Sequence, residues 1–205
     1  ASPDGPYEVA ERAGARARHH AWTGAVSEAR NVGFDAGGAD GQMFLDADEV
    51  LVDGDGPRLR ALLGHTWREA IYLVETNFTG DMDHGTSVDH NALRIFRNRP
   101  EYRFRDRIHE QIAYALPQIS ERQEVSQVRI DHFGYLGVVR EERDKSRRNI
   151  ELLEQQIEEG NNGPFVHFNL GSEHMAIDAP EAALAEFRIA WELLESDPDR
   201  GSYPY

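Results

Sequence analysis

The chain has 205 residues, with 22 basic and 37 acidic side chains, a net charge of −15 and no cysteine. This excludes disulfides, thiolate zinc sites and a cysteine nucleophile, and leaves carboxylates, histidines, hydroxyls or a hard metal to carry any chemistry. Nucleic acid is a poor partner, because phosphates would be repelled except at a basic patch, and no such patch of useful length occurs.

No apolar run is long enough for a membrane span, and the first residues alternate acids, arginines and glycines, so a soluble, cytoplasmic protein without its own targeting signal is expected. Lys145 is the only lysine, and arginine richness with excess acid fits a high-GC or salt-adapted source, a statement about habitat rather than function.

A short helix is expected over 6–16, after the turn Ser2-Pro3-Asp4-Gly5 and closed by a glycine. A second helix fits 26–36, opened by Ser27 or a neighbour and closed by Gly37-Gly38. Gln42-Met43-Phe44-Leu45 then reads as a short buried strand running into an acidic strand end, Asp46-Ala47-Asp48-Glu49. Arg58 to Leu63 fits a short helix. Strands are expected at Ala70 to Glu75, Ala92 to Phe96 and Val125 to His132, with 79–91 a polar loop containing Gly80, Asp81, Asp83, His84 and Gly85. Helices follow at 139–159, 164–176 and 180–196. The order is α/β first and all-α afterwards, which divides the chain near Gly137 into a catalytic-size domain, 1–137, and a helical tail, 138–205.

The tail carries a repeat signal. His167-x2-Leu170-Gly171-x2-His174 followed by Ala183-x3-Phe187 has the spacing of the tetratricopeptide (TPR) pattern, with two aromatics replaced by histidine and the terminal proline late, at Pro198. An ordinary helical hairpin is the alternative. A single unit cannot bury its own apolar face, so it is expected to pack on the first domain, on helix 139–159 or on a second copy of the chain as a homodimer.

Asp46 and Asp48 at i and i+2 of a strand would point to the same side, and two converging carboxylates suit Mg²⁺ or Mn²⁺. A solvated acidic turn is the other reading. Several rivals fail: His109-Glu110 lacks the second histidine of a zinc peptidase, no glycine-rich phosphate loop occurs, and Asp46 to Gly56 lacks the ordered ligands of an EF-hand.

Ser27-Glu28-Ala29-Arg30-Asn31, then Phe44-Leu45-Asp46-Ala47-Asp48-Glu49, then Leu93 to Asn98, Ile108-His109-Glu110-Gln111-Ile112 and Ile130-Asp131-His132-Phe133-Gly134-Tyr135, resemble in order the family 2 glycosyltransferases with a C-terminal repeat tail. The resemblance implies a GT-A-like, Rossmann-like nucleotide-sugar transferase fold. It also implies that the first βα unit, and with it the base-binding half of the donor site, is missing.

By the same resemblance, Arg30, Asn31 and Asp46 would be donor-binding. Asp46, Asp48 and His132 would hold Mn²⁺ or Mg²⁺, and Glu110 would be the catalytic base of an inverting transfer from a nucleotide-sugar donor to a peptide, lipid-linked or polysaccharide acceptor. Glu110 also reads as a surface carboxylate, with Glu75 and Asp131 next in line as base. His132, alternating with Ile130, serves equally as a structural histidine. The rival function is a non-catalytic protein-interaction module with a repeat tail on a vestigial scaffold.

Overall fold

Four helices start on a proline within their first two positions, where the missing N–H would have no helical partner and the fixed φ suits the helix. They are α1 (Pro6–Arg12), α3 (Gly56–His65), α5 (Pro164–Ala176) and α6 (Pro180–Ser196). The computed structural model describes residues 5–79, 85–135, 139–198 and 200. The expected turn at Ser2, Pro3 and Asp4, the loop residues Gly80, Asp81, Asp83 and His84, and the boundary at Gly137 lie outside them.

Helix α2 is Val26–Asp35, opening beside Ser27 as expected but without a side-chain cap. Ser27 is buried inside the first turn, and the Val26 N–H donates instead to the carbonyl of Arg107 at 2.8 Å, so a distant connection caps the helix. Helix α1 ends at Arg12, four residues short of the expected end, with Gly14 in the left-handed region at φ 82°. Helix α4 (Val139–Glu158) precedes α5.

Strands β1 (Gly41–Met43), β2 (Glu49–Leu51), β3 (Ala70–Thr79), β4 (Thr86–Arg97) and β5 (Gln123–Tyr135) form one mixed sheet in the order β1-β4-β3-β5-β2. Only the β3–β5 pair is parallel. Strands β1, β3 and β5 therefore run in one direction, and their carboxyl ends share one end of the sheet. The fold is mixed α/β, as expected at that level. Strand β4 reaches back to Thr86, because pairing with β3 from Thr79 onward recruits the polar residues that read as loop.

Across β3 and β4, Ile71 pairs with Ile95 but Tyr72 with Leu93. Arg94 is thus the extra residue of a β-bulge, a device that re-aims a side chain.

The sheet buries both faces. One packs Phe34, Phe96, Tyr102, Phe104, Ile112 and Leu116 beneath α2 and the β4–β5 connection, and the other packs Ile71, Leu73, Ile95, Val128 and Ile130 beneath Leu59 and Leu62 of α3. Each fully buried side chain of this size contributes about 1.5–3 kcal/mol.

Asp46 to Asp48 is not a strand end. The chain turns there, with the Glu49 N–H donating to the Asp46 carbonyl at 3.1 Å and the Asp46 N–H to Glu49 Oε2 at 3.0 Å. The turn sends the chain back along β5 as β2, a strand the hydrophobic pattern did not reveal.

In the tail, Leu170, Ala183 and Ala190 are buried as expected, and Phe187 is half-buried. Gly171 is required by close packing: a Cβ there would meet the Phe187 ring at 2.6 Å and the Ala183 carbonyl at 3.1 Å. The tail core is closed from outside by Ile108 of the β4–β5 connection, which joins Leu152, Leu153, Val166 and Leu170. The tail thus packs against the β4–β5 connection of its own chain.

Candidate functional site

Helix α2 presents Arg30 to two connections at once. Its Nη2 donates to Asp46 Oδ1 at 2.5 Å and its Nε donates to Glu110 Oε1. The guanidinium lies 5.2 Å from the centre of the Phe44 ring and 5.5 Å from that of Phe104, so its stem is held by apolar surface while its charge is divided between carboxylates. Burial acts to lower the Arg30 pKa, and the carboxylates of Glu110 and Asp46 outweigh it, leaving the group above its ordinary value.

The neighbouring Asn31 does not face the same space. Its Nδ2 donates to the Phe104 carbonyl and its Oδ1 accepts from the Phe104 N–H, both at 2.9 Å, which fastens the β4–β5 connection to α2.

A second arginine-centred cluster adjoins the first. The bulged Arg94 donates to Glu49 and, at 2.6 Å, to Glu75, whose side chains are 1% and 5% exposed. Its guanidinium lies 5.1 Å from the centre of the same Phe44 ring. Neither Arg94 nor Glu49 had an assigned role. The signal available was a charge inside one apolar run, Leu93 to Phe96, and a charge heading another, Val50 to Val52.

His132 sits between carboxylates on the third side. Its Nδ1 is 2.5 Å from Asn77 Oδ1, which only accepts, so Nδ1 carries the proton. In the neutral ring Nε2 is then the acceptor nitrogen, and it lies 3.5 Å from Asp48 Oδ2. Gly134 makes this approach possible: a Cβ there would stand 2.4 Å from Asp48 Oδ2 and 2.6 Å from His132 Nε2.

Asp46 is engaged by Arg30 through Oδ1. No group of three or more histidines and carboxylates that could hold a metal occurs among the described residues. What Asp48 and His132 offer is two donors.

Arg30, Asp46, Arg94, His109 and Glu110 line a cleft of about 530 Å³, together with Phe165 from α5. This volume suits a small-molecule ligand. The structure thus brings Arg30, Asp46 and Glu110 together, sets Asp48 and His132 beside each other, and gives Asn31 to the scaffold.

No family model matches the chain. It is similar to a TPR repeat-containing protein of Synechococcus elongatus, with 29% identity over 163 residues, which are 77% of this chain and 38% of that protein. The chain therefore spans well under half of that relative's length. The resemblance to family 2 glycosyltransferases is overturned: no such family is matched, and the likeness found is to a protein named for the repeat whose spacing the tail resembles. Motifs as short as Asp-Ala-Asp and His-Glu arise readily in turns and connections, which is where both lie here. The matched stretch is longer than the tail, so it reaches into the sheet-bearing part, to which the relative's name assigns nothing. Among the described residues no helix is long and apolar enough to cross a membrane.

Proposed function

We propose that the cleft transfers a sugar, with inversion, from a nucleotide-sugar donor to an acceptor hydroxyl or amide. The observation that carries this reading is Arg30 shared between Glu110 and Asp46 on the cleft wall. An anionic donor entering the cleft competes for Arg30, and the carboxylate it releases, Glu110, is then available to take the acceptor's proton as the donor diphosphate departs. Asp46 and Arg30 lie on the donor side. Asp48 and His132 are too few to cage a cation, but two protein donors suit Mg²⁺ or Mn²⁺ that keeps its waters and is completed by phosphate oxygens. Held by Asp48 and His132, such an ion would supply positive charge to offset that of a leaving diphosphate. On this reading the mixed sheet is part of a GT-A-like layer.

The test is calorimetry with a nucleoside diphosphate, with and without Mn²⁺. Asp48→Ala is expected to abolish the Mn²⁺-linked gain in affinity and Asp46→Ala to weaken nucleotide binding. Unchanged metal-linked affinity in both variants overturns the reading, and a screen of nucleotide sugars for hydrolysis identifies the donor.

A second reading, a non-catalytic interaction module, is favoured by a separate observation. Phe168 and Met175 on α5, and Leu184 and Trp191 on α6, are each spaced seven apart and exposed, up to 62% at Trp191. That spacing puts each pair on one helix face. Absence of donor hydrolysis and of donor-dependent thermal stabilisation favours this second reading.

A further inference from the structure

The segment that carries Glu110 is held by the tail, residue by residue. Asp106 and His109 both have left-handed backbones, φ 79° and 52°, a conformation costly outside glycine that persists only where surroundings impose it. The tail imposes it. Asp106 accepts from Asn161 Nδ2 at 2.6 Å and from Gln156 Nε2 at 3.3 Å, and the Arg107 N–H donates to Gln156 Oε1 at 2.9 Å. Ile108 is buried in the tail core, and His109 Nε2 lies 3.3 Å from Glu173 Oε1 on α5, which also accepts from Asn149 Nδ2 of α4 at 2.7 Å. The next residue, Glu110, turns the other way, to Arg30 on α2.

We infer that Glu173 is a positioning residue for Glu110, acting through His109, so that the repeat tail is a working wall of the cleft rather than an appendage. Phe165, from the same helix as Glu173, lines the cleft beside Glu110. This inference rests on the assignment of Glu110 as base, but its geometry is testable without turnover. An element that fixes a catalytic side chain through one packed neighbour belongs to the supporting structure that sets reaction geometry.

The measurement is nitrogen-15 NMR of the arginine Nε–H groups in the full chain, with the Arg30 signal identified by its loss in Arg30→Lys. In the wild type the Arg30 Nε–H, bonded to Glu110, exchanges slowly with solvent. In Glu173→Gln and in His109→Ala it is expected to exchange roughly tenfold faster, a coupling within the range carried by packed networks. The Arg103 Nε–H, bonded to Asp35 on α2, stays unchanged as an internal control. His109 is 37% exposed, so His109→Ala tests the link even if Glu173→Gln impairs folding. Unchanged Arg30 exchange in a folded His109→Ala protein overturns the inference. Where transfer is measurable, the same variants should lower kcat with donor KM unchanged. If Arg30 exchange quickens while even the wild type transfers no sugar, the positioning stands and the proposed function fails.

Discussion

Two arginines lie against the ring of Phe44, and their partners differ in kind. Arg94 sits in the sheet and pairs with Glu49 on β2 and Glu75 on β3, positions that the strand ladder fixes. Arg30 sits on a helix and pairs with Asp46 and Glu110, both on connections. The sheet-borne cluster is rigid because moving one member breaks backbone pairing. The carboxylates of the connection-borne cluster lie outside the strands of the sheet. Chemistry that needs a carboxylate released on ligand arrival belongs to the second, and the first supplies its stiff floor.

The comparison breaks most visibly at Glu110. Glu110→Gln keeps shape and removes the proton acceptor, so turnover on the identified donor should fall by roughly 10²–10⁴ with donor affinity near wild type. Near-normal turnover would reassign Glu110 to structure. Arg94→Leu should act on the other side of the comparison, leaving Glu49 and Glu75 buried without the arginine they share, at a cost of about 3–5 kcal/mol in urea unfolding. A loss under 1 kcal/mol would show the sheet-borne cluster to be as adaptable as the other.

The pH dependence of stability sharpens the role of the tail. Burial would raise the Glu173 pKa, but hydrogen bonds from His109, Ser146 and Asn149 and the charge of His109 outweigh it and hold the carboxyl at about 2 against an ordinary 4.5. A depressed folded-state pKa means that this stabilisation is present above pH 4.5 and is lost as pH falls toward 2. Glu173→Gln should therefore flatten the acid limb of the stability curve between those values, by up to about 3 kcal/mol. An unchanged acid limb would separate Glu173 from the network around it. The smallest effect is expected at Phe187, whose half-buried ring places Phe187→Ala at about 1–3 kcal/mol, below the roughly 3–5 kcal/mol of a fully buried ring.

The helices of the tail were legible because their 3.6-residue pattern is local, and Gly171 and Ala183 sit where the repeat demands small residues. Strands β3 and β5 were legible from their apolar runs. What could not be read was long-range. The polar start of β4 is a strand only because β3 pairs with it, and β2 exists only because the Asp46–Asp48 turn returns the chain to β5. At the site, Arg30 and Glu110 were singled out on motif likeness, while their ion pair spans distant parts of the sequence. For Asn31, nothing local announces that the Phe104 backbone takes both its polar atoms.

The order of pairing in the sheet also sets an order in time. Strands β3 and β4 close over a short connection, Thr79 meeting Thr86, whereas Ala70 must find Gln123 in parallel and Leu51 must find Ile130. Pairings of long sequence separation carry the larger entropy of closure and form slowly. The hairpin holding Arg94 is thus an early structure, while the connection holding Glu110 cannot settle into its left-handed turns before α4 and α5 exist to receive it. On the ribosome, where the chain emerges from its amino end, the cleft lacks its α5 side until Phe165 has been made.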